Sequence, residues 1–302
     1  MSEIQPAPQR NFLAKIFISS DEPRLRAGWR LLLQTLIMIV LTVILQFVLV
    51  LVFMPGKNGN ADLFIGQLLE LVIFTLSIFI ARRFLDRRSF ASLGLQVNKQ
   101  AAADILIGIA ITFVIMGLIY LAEVAAGWLT FESFAWQTES AASVLIGILT
   151  FFTAFVLVGW NEELLSRGYH LQTLASGTNM FWGLIISSSV FGLAHLGNPN
   201  ATWVSAAGIF FAGLFLAYGY LRTGQLWLSI GLHIGWNFFE GVVFGFPVSG
   251  MDIYRLIRHQ VQGPEIWTGG AFGPEAGLIV LPALVVGSVL IYFYTRGRRI
   301  AE

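Results

Sequence analysis

Apolar stretches broken by short polar ones run along almost the whole chain. Eight of them, near residues 31–54, 63–81, 103–127, 142–164, 180–197, 201–221, 226–246 and 276–294, are long enough to cross a bilayer, since a helix needs about 20 apolar residues to do so. The pattern predicts an all-α integral membrane protein of about eight transmembrane helices in one bundle. Gly-Lys-Asn-Gly-Asn at 56–60 reads as a turn, and Gly-Asn-Pro-Asn at 197–200 as a sharp break between two helices. The longest connection falls at about 247–275, with Pro264, Gly269, Gly270 and Pro274. No repeat of fixed period and no linker divides the chain, so residues 29–299 read as one polytopic membrane domain.

Charge sets the expected orientation. With an even number of spans and the amino terminus inside, 15 of the 18 Lys and Arg residues fall in inner segments, leaving only Lys57, Arg255 and Arg258 outside. Such asymmetry places both termini in the cytoplasm and the chain in the cell membrane as a multi-pass protein. Residues 1–28 carry Arg10, Lys15, Arg24 and Arg26 among polar residues and lack the core of a signal peptide, so they read as a retained cytoplasmic arm.

Composition narrows the function. Of 302 residues, 56% are hydrophobic and only 12% charged, with mean hydropathy +0.75. This is far outside the soluble range, and the lipid bilayer is the first partner implied. A net charge of +1, with the basic residues in short clusters and no basic face, gives no reason to expect nucleic acid. The absence of cysteine excludes disulfides, thiolate metal sites and a cysteine nucleophile.

Against this background the polar residues inside the spans matter most, because an ionisable side chain at mid-membrane costs a few kcal/mol, about 3 on insertion scales. The fourth span ends Gly159-Trp160-Asn161-Glu162-Glu163-Leu164-Leu165-Ser166-Arg167. Glu163 and Arg167 are i, i+4 neighbours able to pair, whereas Glu162 points about 100° away and lacks that partner. The fifth span carries Phe191-Gly192-Leu193-Ala194-His195, and the seventh His233-Ile234-Gly235-Trp236-Asn237, which sets His233 and Asn237 on one helix face. Each orphan polar group costs energy in lipid. Glu162, His195, His233 and Asn237 are therefore expected to satisfy one another in an intramembrane polar cavity. Weaker candidates are Glu70, Glu123 and Glu240; Glu240, three residues after Asn237, is a candidate to line the same cavity, and each of the three reads equally as a neutral acid that donates a hydrogen bond in helix packing. His170 and His259 read as interfacial or looped.

Depth counting supports one contact and obstructs another. If spans four and five turn at Gly177-Thr178-Asn179, Glu162 and His195 lie symmetrically about the turn and so at one level. At 1.5 Å per residue, however, His195 is about 22 Å beyond that turn, while His233 is only about 10 Å past the start of its own helix near Leu226. A hairpin projecting beyond the other helix ends, or helix tilt, is needed to bring the two histidines together. The arginine count, in turn, predicts a site open to the cytoplasmic side.

Glu162-Glu163 followed by three residues and then Arg167, then Phe191 with three residues to His195, then His233 with three residues to Asn237, resembles the three-motif signature of the CAAX prenyl protease and bacteriocin-processing family, also called the Abi or CPBP family. Phe-Gly-Leu-Ala-His at 191–195 and Tyr-Leu-Arg-Thr-Gly at 220–224 are similar to phrases of that family. The resemblance covers about 160–240, within an expected catalytic core at about 142–246. It implies an intramembrane endopeptidase acting on a membrane-associated peptide or protein. By the same resemblance Glu162 activates water, His195 helps hold it, His233 and Asn237 bind a metal or stabilise the oxyanion, and Glu163 and Arg167 support them. Two His and one Glu (His195, His233 and Glu162) match a three-ligand catalytic zinc site, Zn2+ being the cofactor implied, and a metal-free glutamate mechanism fits the same residues. Two further readings stand beside the peptidase: a catalytically silent membrane scaffold or immunity protein, and a proton-coupled transporter, which would call for inverted repeats and paired broken helices.

Overall fold

The computed structural model describes residues 11–20, 22–53 and 59–298. Residues 1–10 of the arm and the turn expected over 56–58 lie outside the described residues. A short helix α1 (Phe12–Phe17) precedes α2 (Ala27–Phe53) and α3 (Gly59–Ile80), which passes into a π-helical turn at Ala81–Leu85. Next come α4 (Lys99–Ala125), strand β1 (Leu129–Phe134) and α5 (Ala141–Glu163). The remaining elements are α6 (Met180–Ala194), α7 (Trp203–Thr223), α8 (Trp227–Asn237), strand β2 (Ile257–Val261) and α9 (Val280–Thr295).

Helix starts follow from polar caps between the apolar runs. Asn98 accepts from Ala101 N at 2.9 Å, Ser140 from Ser143 N at 3.1 Å and Asn179 from Trp182 N at 3.0 Å. Thr202 and Ser205 cap α7 reciprocally, at 3.1 and 2.7 Å. Each cap satisfies a backbone donor that lipid would leave bare. The protein is an all-α membrane protein, and among the described residues six helices are long and apolar enough to cross a bilayer. The other two expected spans are shorter. Val280–Thr295 has 16 residues, and α8 has 11 before it changes to π-helical winding at Phe238–Val243. Among the described residues one two-stranded antiparallel sheet forms, β1 with β2, in which Phe131 faces His259. It covers the end of the bundle opposite the start of α2.

The short α8 lies at the centre. Every residue from Leu228 to Asn237 is buried, so its apolar side chains meet protein and not lipid. Small residues permit this. A methyl group on Gly231 would fall 2.3 Å from Ile105 O, and one on Gly235 would fall 2.1 Å from Thr112 Oγ1 and 2.8 Å from Ile109 Cα. Backbone contact at a small-xxx-small pair is how helices associate where no hydrophobic force separates protein from lipid. On its other side α8 meets Gly159 of α5, through Ile234. Ile111, Ile115, Phe215, Leu232, Trp236 and Leu284 form the main core around it.

Candidate active site

Three helices deliver the polar side chains to one place. α5 continues without a break through a π-helical stretch, Leu164–Leu171, and a last α-helical turn to Gly177, a rod of 37 residues. Glu162 and Glu163 sit where its winding widens, and Asn237 sits where α8 widens in the same way. π-helical segments of this kind cluster at functional sites, and neither was visible in the sequence. α6 ends in a tight turn, His195–Gly197, that carries His195.

The conflict of depths is resolved by a projecting hairpin. The start of α8 packs against the last third of the α5 rod: a methyl on Gly168 would lie 3.1 Å from Leu226 Cδ1. The tip of the α5–α6 hairpin extends further and meets the beginning of α2, where Gly177 closes on Ala27. Gly168 is nine residues short of that tip, so the hairpin reaches about 13 Å beyond the start of α8. His233 and His195 thereby stand at one level.

Glu162 Oε2 lies 3.9 Å from His195 Nε2 and 3.7 Å from His233 Nε2. Glu163 turns the other way and is fully buried, its Oε1 accepting from Arg167 Nη1 at 2.7 Å and from His233 Nδ1 at 2.8 Å. The two adjacent carboxylates thus address opposite nitrogens of one imidazole. Arg167 also donates to Gly213 O at 2.9 Å, and its guanidinium carbon lies 4.3 Å from the centre of the Phe191 ring. Phe191 meets both histidines edge-on, and its carbonyl is 2.8 Å from His195 Nδ1. The pairing of Glu163 with Arg167 and the nearness of Glu162 to His195 match expectation; the bond from Glu163 to His233 adds a link that spacing did not indicate.

Proton positions follow from these partners. A carbonyl only accepts, so His195 Nδ1 carries its proton; the Glu163 carboxylate likewise accepts a hydrogen bond from His233 Nδ1, which keeps its proton there. In the neutral rings both Nε2 atoms are then acceptors, and both face a third acceptor, Glu162 Oε2, which has no hydrogen-bond partner among the described residues. Such a triangle is complementary to a donor, a water molecule or a cation. The donor types also suit zinc, because each imidazole is held through Nδ1 by a carboxylate or a carbonyl. Tetrahedral zinc ligands stand about 3.4 Å apart; both histidines would have to approach Glu162 by roughly 0.3–0.5 Å. As placed, no three His, Asp or Glu side chains among the described residues are close enough to hold an ion.

These residues line a cavity of about 360 Å³, together with Asn237. Ser166 and His170 line it as well, as do Asn198, Ser249, Met251 and Glu275. Phe74, Phe155, Val158, Leu165 and Val190 supply apolar wall. Glu70 lines the cavity too, but Glu240 does not: its carboxylate is fully buried with both oxygens unpartnered among the described residues, as is that of Glu123. The expectation that Glu240 shares the cavity is corrected by the winding of Phe238–Val243, which no longer repeats every 3.6 residues and carries residue 240 off the face of 233 and 237. His170 belongs to the lining, and His259 is buried in β2, bonded to Phe244 O at 2.8 Å. Glu275 carried no signal in the sequence, being an acid in a loop among glycines. Burial pushes its carboxyl up, opposed by hydrogen bonds from Ser249, by His195 and by the Trp236 indole.

The segment that builds most of this site is matched by a known family. Residues 143–239 match the type II CAAX prenyl endopeptidase Rce1-like family. The match takes in Glu162, Glu163, Arg167, His195, His233 and Asn237 and stops before Glu275. An uncharacterized 24.3 kDa protein of Escherichia coli is 32% identical over 127 residues, 41% of this chain and 57% of that one. The "Putative membrane peptidase YdiL" of Bacillus subtilis (strain 168) is 29% identical over 111 residues, 37% of this chain and 41% of that protein. The chain therefore spans between two fifths and three fifths of the length of these relatives.

Proposed function

We propose that the protein is an intramembrane endopeptidase that hydrolyses a peptide bond of a membrane-associated protein or peptide with water activated by Glu162. The observation that carries this reading is the convergence of Glu162 Oε2 with the Nε2 atoms of His195 and His233, at 3.9 and 3.7 Å. A water placed there donates one hydrogen to Glu162 and the other to an imidazole, which leaves an oxygen lone pair free for attack. Glu162 takes the proton as the oxygen bonds to the carbonyl carbon, and returns it to the leaving amine. The Asn237 amide, which makes no hydrogen bond within the described residues, is available to donate to the oxyanion. Glu163 holds the His233 tautomer, and Arg167 holds Glu163. Were zinc bound, His195, His233 and Glu162 would hold it, and it would polarise the carbonyl as a Lewis acid.

The Rce1-like match supports the reaction class, and the apolar walls around the polar centre suit a chain segment drawn in from lipid. The test is cleavage of a membrane-tethered reporter peptide by purified protein in liposomes. Glu162→Gln keeps the shape and cannot take the proton, so cleavage is expected to fall by at least about 10³-fold with folding intact. Undiminished cleavage by that variant would sink the proposal.

A further inference from the structure

Beyond the matched segment the cavity has a second polar pole. Glu275 is only 4% exposed. Its Oε1 accepts from Trp236 Nε1 at 2.9 Å, and its Oε2 accepts from the Ser249 backbone N–H at 2.9 Å and the Ser249 hydroxyl at 2.7 Å. Trp236 stands beside Asn237 and three residues after His233 on α8. The Ser249 carbonyl accepts from Asn198 Nδ2 at 3.1 Å, three residues past His195. Asn200 Nδ2 reaches Gly250 O at 3.3 Å, and Gly250 N reaches Phe272 O at 2.8 Å. One continuous chain of hydrogen bonds therefore runs from the turn holding His195, through Ser249 and Glu275, to the helix holding His233 and Asn237. Ser249 has φ of 47°, in the left-handed region where a non-glycine residue stays only when its surroundings fix it.

We infer that Glu275 is a positioning residue of the proposed peptidase, a clamp that sets the His195 turn and α8 at the separation needed for both imidazoles to face Glu162. The inference rests on the peptidase reading for its effect on rate. Glu275 is not a second base: three donors already occupy its two oxygens, whereas Glu162 Oε2 receives none. A carboxylate is required by the count. Glutamine offers one acceptor oxygen and turns an NH2 group toward another donor, so it loses at least one of the three bonds. Catalytic geometry is sensitive to displacements of about 1 Å, which can cost on the order of 100-fold in rate.

Because the chain has no native cysteine, Met251→Cys reports on the clamped loop without background. Met251 lines the cavity two residues from Ser249. Glu275→Gln is expected to lower kcat by about 10–100-fold, with KM within about twofold, and to raise the maleimide labelling rate at position 251 at least about fivefold by freeing the loop. Trp236→Phe and Ser249→Ala each remove one bond and are expected to shift both readouts in the same direction by less; they carry the test if Glu275→Gln does not fold. Combining Glu275→Gln with Ser249→Ala is expected to cost less than the two separate losses, because both remove one shared bond. A labelling rate that does not change, or a kcat that does not fall when labelling rises, overturns the clamp. If the parent protein cleaves no peptide, the peptidase reading fails, and the labelling rates alone still decide whether Glu275 fixes the loop.

Discussion

Replacing Glu163 by glutamine separates what holds the site from what reacts in it. Its carboxylate is fully buried and accepts two short bonds, from Arg167 at 2.7 Å and from His233 at 2.8 Å. Removing one partner of a buried ion pair costs about 3–5 kcal/mol, since the other charge stays behind in low dielectric. The amide oxygen of glutamine still accepts one bond, worth about 1 kcal/mol, and the Phe191 ring and Gly213 O still face Arg167. A loss of roughly 2–4 kcal/mol remains, on the order of 10 °C in melting temperature. The amide also no longer dictates that the His233 proton sits on Nδ1, and a wrong tautomer can cost up to about 10⁴ in kcat. Glu163→Gln should therefore melt early and be slow, whereas Glu162→Gln, with a 29% exposed side chain and no hydrogen bond at Oε2, should be inactive at nearly parental stability. Thermal unfolding in one detergent, run beside the liposome cleavage assay, reads both quantities. A Glu163→Gln protein with parental melting temperature and parental rate would refute the assignment of Glu163 to the His233–Arg167 link.

Gly231→Ala drives a methyl into the Ile105 carbonyl, 2.3 Å away, and is expected to destabilise by at least about 1–3 kcal/mol, measured as a lower melting temperature. Single cysteines at Ser89 and Gln260 lie at opposite ends of the bundle; by the arginine distribution only the second should label with an impermeant reagent outside intact cells, and labelling of Ser89 from outside would reverse the orientation. Dialysis against a chelator separates the two forms of the mechanism: cleavage that persists assigns water activation to Glu162 without an ion. Loss of cleavage that zinc restores would assign the ion to Glu162, His195 and His233.

The lipid solvent and the polar residues that must be satisfied within it were legible in the sequence. Apolar run lengths indicated which segments are helices, and the cost of burying Glu162, His195, His233 and Asn237 singly called for them to meet. Those are local or additive effects, readable from one stretch of chain at a time. Tertiary structure decided the rest. Hydropathy ranks α8 with the lipid-facing spans, because protein interior and lipid are equally apolar; only the contacts of Gly231 and Gly235 with α4 show that it is the central helix. The offset between hairpin tip and helix start that aligns His195 with His233 depends on where Gly168 meets Leu226, a contact 58 residues apart in sequence. Glu240 followed the 3.6-residue rule in the sequence and left the cavity in the structure, because π-helical winding rotates residues off the expected face. Glu275 joined the cavity for the converse reason: its partners Trp236 and Ser249 come from distant segments, and no periodicity marks a loop residue whose role is set only by what folds against it.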